Sequence, residues 1–124
     1  DFKINEKKKE KIKKKDFINL NLEKNIDILN YVSSHNSMRP KLVIGFAAET
    51  ENVIKNSEEK ILKKHCDWII ANDVSKPGIG FDSDFNEVSI VYKDKNKKVD
   101  FFSKRSKSEI AKEIAEKIIR NFYN

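Results

Sequence analysis

Residues 41–73, KLVIGFAAETENVIKNSEEKILKKHCDWIIAND, decide how this chain folds. KLVIGF is a continuous apolar run ended by Gly45, the pattern of a strand covered on both faces in a parallel sheet. Residues 49–65 contain neither Gly nor Pro and set Ile54, Ile61 and Leu62 among many charges, which predicts a surface helix. DWIIAN then reads as a second buried strand. Strand, helix and strand with a crossover of this length make a βαβ unit, and that unit implies a parallel sheet with a helix on its face.

Outward from this unit, the loop 75–85 holds Pro77, Gly78 and Gly80. Two strand-like segments follow, 87–92 and 98–102, and the polar stretch 93–97 between them predicts a hairpin. Ser106 and Glu109 have capping-box spacing, and Ile110, Ile114, Ile118 and Phe122 form one stripe, so an amphipathic helix should close the chain. On the other side, Ile18, Leu20 and Leu22 alternate with Asn19 and Asn21, which predicts a half-buried strand over 17–22. Asn25 and Asp27 are start signals for a short helix from Ile28 to Ser34. Lys7, Lys8, Lys9, Lys11, Lys13, Lys14 and Lys15 form a self-repelling run broken only by Glu10 and Ile12, so residues 1–16 are expected to be a mobile flap. No internal repeat or domain boundary is visible.

A chain of 124 residues has room for one core, and 38% hydrophobic against 37% charged residues is a lean but sufficient supply. Its apolar runs fall far short of the roughly 20 residues of a membrane span, and no secretory signal opens it. The lone Cys66 cannot form an internal disulfide. These features lead us to expect a cytoplasmic protein without membrane contact. The net charge of +6 is the difference between 26 basic and 20 acidic residues, and only Arg39, Arg105 and Arg120 are arginines. Base and phosphate readers favour the arginine fork, and single-strand binders interleave aromatics with charge, which the run 7–15 does not. No nucleic-acid partner is expected, although a non-catalytic basic nucleotide- or nucleic-acid-binding module is the alternative reading.

Neither GxGxxG after a strand nor GxxxxGK[ST] occurs, so a phosphate group would need other donors. Lys60 and Lys64 are four apart on one helix face, and the cluster Lys11 to Lys14 adds more cations. In a lysine-rich chain the same spacing also describes a solvated face, and composition does not separate the two. His35 and His65 have no acid or nucleophile at motif spacing and read as surface or capping residues. Cys66 reads as a packed thiol and Trp68 as core, while Asp82 and Asp84 lack residues to complete a metal set, so no protein metal ligand is expected.

Six segments occur in one order from residue 1 to about residue 91: EKIKK (10–14), NIDIL (25–29), GFAAET (45–50), EKILKKHCD (59–67), IIANDVS (69–75) and GFDSDFN (80–86). In these the chain resembles phosphopantothenate-cysteine ligase, a family often fused in bacteria to a flavin-dependent decarboxylase. The resemblance implies a partial domain over residues 1–124: an α/β, Rossmann-like three-layer parallel sheet with a C-terminal β-hairpin and a final helix. It implies CTP-dependent joining of 4'-phosphopantothenate to cysteine through an acyl-cytidylate, with Mg²⁺, and with FMN only where a decarboxylase is fused upstream. A homodimer is implied too. By similarity, Lys11 is the flap lysine at the triphosphate and the reacting carboxylate, and Asp1 a nucleotide contact. Ile26, Asp27, Ile28 and Leu29 meet the cytosine edge through their backbone. Phe46 lies against the nucleotide, and Lys60 and Lys64 hold phosphates. The sequence departs from the family at Ile26, usually proline, and at Phe85, usually polar.

Overall fold

The computed structural model describes all residues except 8, 10, 12, 14–18 and 124. Strands β1 (Phe2–Ile4) and β2 (Leu22–Lys24) form a two-stranded antiparallel ribbon. Helix α1 (Ile28–Ser33), strand β3 (Ile44–Glu49), helix α2 (Val53–Lys64) and strand β4 (Trp68–Asp73) follow. Strands β5 (Phe85–Tyr92) and β6 (Asp100–Ser106) and helix α3 (Lys107–Tyr123) end the chain. The main sheet has the order β3-β4-β5-β6. Strands β3 and β4 are parallel, with Ile44 opposite Trp68 and Glu49 opposite Asp73, and the two hairpin strands join antiparallel. The α/β architecture expected from residues 41–73 is thus the one observed, with its parallel part confined to the βαβ pair.

Period-two alternation assigns the strand residues to two cores. Ile69 and Ala71 of β4 join Val43, Ala47, Ile61 and Cys66 beneath α1 and α2. Trp68 and Ile70 join Val88, Ile90, Phe102 and Ile110 beneath α3. Three layers result. Gly45 ends the apolar run for a steric reason, since a Cβ there would stand 2.7 Å from both Ile69 Cδ1 and Leu29 Cδ2. The Ser106–Glu109 capping box is formed: Ser106 N–H donates to Glu109 Oε2 at 3.1 Å, and Glu109 N–H donates to Ser106 Oγ at 3.2 Å. Ile110 is buried and Ile114 and Ile118 pack against the same core, whereas Phe122 is 49% exposed and lies beyond the face the sheet can cover.

Several expectations are corrected. Strand β3 begins at Ile44, not Lys41, because Val43 N–H donates to Asp67 Oδ2 at 2.8 Å and Val43 O accepts Asp67 N–H at 2.8 Å, tying the chain before the ladder starts. Phe46 and Ala48 are exposed, so β3 is not fully covered on both faces; it ends the strand order, and α3 packs chiefly on β5 and β6. Of the predicted strand 17–22, residues 17 and 18 lie outside the described residues. Leu20 and Leu22 are exposed, and the strand that forms, β2, pairs with β1 apart from the main sheet. The expected flap 1–16 opens with β1, which is paired through backbone hydrogen bonds, while Lys8, Glu10, Ile12 and residues 14–16 lie outside the described residues.

Candidate functional site

Helix α2 presents Lys60 and Lys64 one turn apart, and each meets a carboxylate from another element. Lys64 Nζ pairs with Asp27 Oδ2, and Lys60 Nζ pairs with Glu49 Oε1. Asp27 is the N-cap of α1: its Oδ1 accepts Asn30 N–H at 3.0 Å. The Lys64 ammonium, then the Asn30 N–H, hold the Asp27 carboxyl below its ordinary range. Glu49 ends β3, and its Oε2 accepts Asn56 Nδ2 at 3.2 Å. Two like charges on one helix face would otherwise repel; here each has its own counterion.

The segment before α1 completes this corner. Asn25 N–H donates to Asp1 O at 3.0 Å, and Asn25 Oδ1 accepts Ile26 N–H at 3.0 Å. Asp1, Ile26, Asp27 and Lys64 are therefore neighbours although residue 1 and residue 64 are far apart in sequence. Ile26 and Ile28 are exposed, while Leu29 turns into the core against Gly45. Helix α1 is fixed on α2 because Ser33 Oγ donates to Lys64 O. Arg39 clamps the same junction, with Nε on Ser33 O at 2.7 Å, and with NH2 on His65 O at 2.9 Å and on Asp67 Oδ2 at 3.0 Å.

Two candidates stand apart. Phe46 points to the α3 side of the sheet, into an apolar cleft of about 320 Å³ with Ile70, Asn72, Asn86, Ile110 and Ile114; the lysines lie in the α2 layer on the opposite side. Strand β3 separates the two groups, so a ligand touching both must wrap its open edge. Lys11 is exposed between residues 10 and 12, which lie outside the described residues. A second cleft, of about 400 Å³, lined by Trp68, Tyr92, Lys97, Asp100 and Lys117, contains no candidate residue. Burial and the Asp100 carboxylate push the Tyr92 hydroxyl pKa up, so its proton stays on the bond to Asp100.

The bland readings agree with the geometry. His35 Nδ1 accepts Met38 N–H at 3.0 Å, and His65 caps α2 in the left-handed region at φ 56°. Cys66 is fully buried and desolvation pushes its thiol pKa up, which makes it a poor nucleophile. Trp68 is core. Phe85, an open question in the sequence, is half-exposed with Lys104 Nζ 5.7 Å from its ring centre. Glu49, Asn56 and the Arg39–Asp67 pair escaped sequence reasoning. Glu49 stands inside GFAAET, but its eleven-residue separation from Lys60 matches no local spacing rule, and only the fold joins them.

A family model for the C-terminal domain of the DNA/pantothenate metabolism flavoproteins matches residues 1–122. The chain belongs to that family. This corrects the family taken from the motifs: what matches is a flavoprotein's C-terminal domain, whose name carries no ligase activity, and the ligase family is withdrawn as the family of this chain. The coenzyme A biosynthesis bifunctional protein CoaBC of Haemophilus influenzae is 38% identical over 123 residues, covering 98% of this chain and 30% of that protein. A cysteine/cysteine sulfinic acid decarboxylase from an unknown prokaryotic organism is 37% identical over 79 residues, 64% of this chain and 21% of that one. The chain therefore spans about a third or less of the length of these relatives. Among solved structures, the C-terminal domain of a CoaBC protein superposes with a TM-score of 0.61 at 31% identity, covering 80% of this chain and 43% of that one. The DNA/pantothenate metabolism flavoprotein of Streptococcus pneumoniae superposes with a TM-score of 0.66 at 26% identity, covering 90% and 46%. The α/β fold is shared with these structures.

Proposed function

We propose that this domain works in coenzyme A biosynthesis by handling a cytidine nucleotide. In this reading the carboxylate of 4'-phosphopantothenate attacks the α-phosphate of CTP, releasing pyrophosphate and forming an acyl-cytidylate. The amine of cysteine then displaces CMP to form the amide. The relatives' names support the pathway, and the observation that carries the chemistry is the corner where α2 presents Lys60 and Lys64 beside Asp27, Ile26 and Asp1.

The chain's own residues have few steps to perform. An ammonium has three donors, so Lys60 and Lys64 can each keep a carboxylate and offer another N–H to a phosphate oxygen. Such fixed cations stabilise charge on the departing pyrophosphate without reorganising. The exposed backbone beside Ile26 can read donor and acceptor positions on a base edge. Phe46 would meet the nucleotide from across the β3 edge, and Lys11 would close on the triphosphate and the reacting carboxylate. Mg²⁺ would be held mainly by phosphate and water; among the described residues no group of three or more His, Cys, Asp and Glu side chains forms a cage.

The family name raises FMN as well. The turn between β3 and α2 reads Thr50-Glu51-Asn52, with an acid and neither a glycine nor a cation, and it follows directly on the Glu49 carboxylate that ends β3. Those residues do not fit a flavin phosphate, and no step is derived through it. Calorimetry on the protein carrying this domain tests the proposal. CTP should bind well above ATP or GTP, and equal affinity for the three would reject it.

A further inference from the structure

We infer that Glu49 and Asp27 are positioning residues that hold Lys60 and Lys64 ready for phosphate, each carboxylate giving one oxygen to a lysine and the other to a fixed N–H donor. This rests on the nucleotide reading above. The two arrangements are built alike from unrelated parts. Asp27 is anchored by the Asn30 backbone N–H at 3.0 Å and Glu49 by the Asn56 side chain at 3.2 Å. Asn56 is itself fixed, since its Nδ2 also donates to Glu51 O at 3.0 Å. The Glu49 side chain is only 12% exposed, which restricts its rotamers, while Lys60 remains 41% exposed toward an incoming ligand.

A surface lysine on a helix samples many rotamers and loses that freedom when it grips a ligand. A lysine already held by an anchored carboxylate has lost it beforehand, so less is lost on binding. A rival interpretation makes the carboxylates mere counterions. The two differ in sign: removing a counterion raises the positive charge of the site and should tighten a polyphosphate, whereas removing a positioning group should loosen it.

The test is calorimetric titration of CTP into the protein carrying this domain, as wild type, Glu49→Gln, Lys60→Gln, the double variant of these two, and Lys64→Gln. Glu49→Gln should weaken CTP roughly three- to tenfold, the cost of immobilising one more rotamer-rich side chain. The double variant should bind no more weakly than Lys60→Gln alone. Asn56→Ala leaves every charge in place and guards against a Glu49 variant that does not fold; it should weaken CTP in the same direction. Equal or tighter CTP binding in Glu49→Gln or Asn56→Ala, or full additivity in the double variant, would overturn the inference. Unchanged CTP binding in both Lys60→Gln and Lys64→Gln would instead bring down the nucleotide reading, and the inference with it.

Discussion

Lys60 and Lys64 are held by partners on neighbouring elements, whereas Lys11 is exposed with residues 10 and 12 beside it outside the described residues. If the two helix lysines grip phosphate in the ground state and Lys11 acts mainly after closure, their kinetic signatures separate. Lys60→Gln or Lys64→Gln should weaken CTP binding by about 1.5 to 3 kcal/mol, the range for hydrogen bonds to charged groups, while Lys11→Gln should lower kcat with little change in CTP affinity. Steady-state kinetics with CTP titration of the three variants decides this, and wild-type turnover in Lys11→Gln removes Lys11 from the reaction. Asp27 makes a pH prediction at the same scale. Its pKa is lowered on folding, chiefly by Lys64, so its stabilisation is present above the ordinary carboxylate pKa and lost as pH falls through the folded value. Asp27→Asn keeps an N-cap and removes the charge. With a side chain 39% exposed and screened by solvent, the difference should be small, about 0.5 kcal/mol near neutral pH, and in urea denaturation it should shrink as pH falls through the lowered Asp27 pKa. A difference that persists at low pH would assign it to capping instead.

Among the elements, α3 has the firmest sequence signal and the clearest energetic consequence. Both arms of its capping box are made, so Ser106→Ala should destabilise by about 1 kcal/mol. Ile110 is 4% exposed beneath the sheet, and Ile110→Ala should cost about 2 to 5 kcal/mol through lost burial and the cavity left behind. Phe122, half-exposed at the far end of the same stripe, should tolerate alanine within about 0.5 kcal/mol. Thermal or chemical denaturation of the three variants should preserve that order. A Phe122 effect as large as that of Ile110 would mean that something else covers the end of the helix.

For the molecule as a whole, the exposed apolar surface is distributed unevenly. Val88 to Tyr92 of β5 is buried throughout, whereas Val99 and Phe101 of the second hairpin arm and Phe81 and Phe85 of GFDSDFN are exposed. We propose that a second copy of the chain covers this region, as exposed aromatics on an open sheet edge favour. Phe101→Lys should shift sedimentation toward monomer at micromolar concentration, and a wild-type protein already strictly monomeric there would reject the proposal.

The sequence by itself determined the elements whose signals are local. The βαβ unit was legible because an apolar run, a Gly- and Pro-free charged stretch and a second apolar run carry their periods in consecutive residues. The hairpin and the capped helix were legible because turn composition and the Ser106–Glu109 spacing act within a few residues. Tertiary structure alone decided what depends on distant partners. It set the start of β3 through Asp67, the exposure of Phe46 on the face of β3 away from α1 and α2, and the pairing of β2 with β1. It also joined Lys60 to Glu49 and Lys64 to Asp27, across 11 and 37 residues. Periodicity records which side of an element meets apolar neighbours, but not which neighbours they are. A charge pair between elements leaves no period at all, and so the two carboxylates became visible only once the chain had folded.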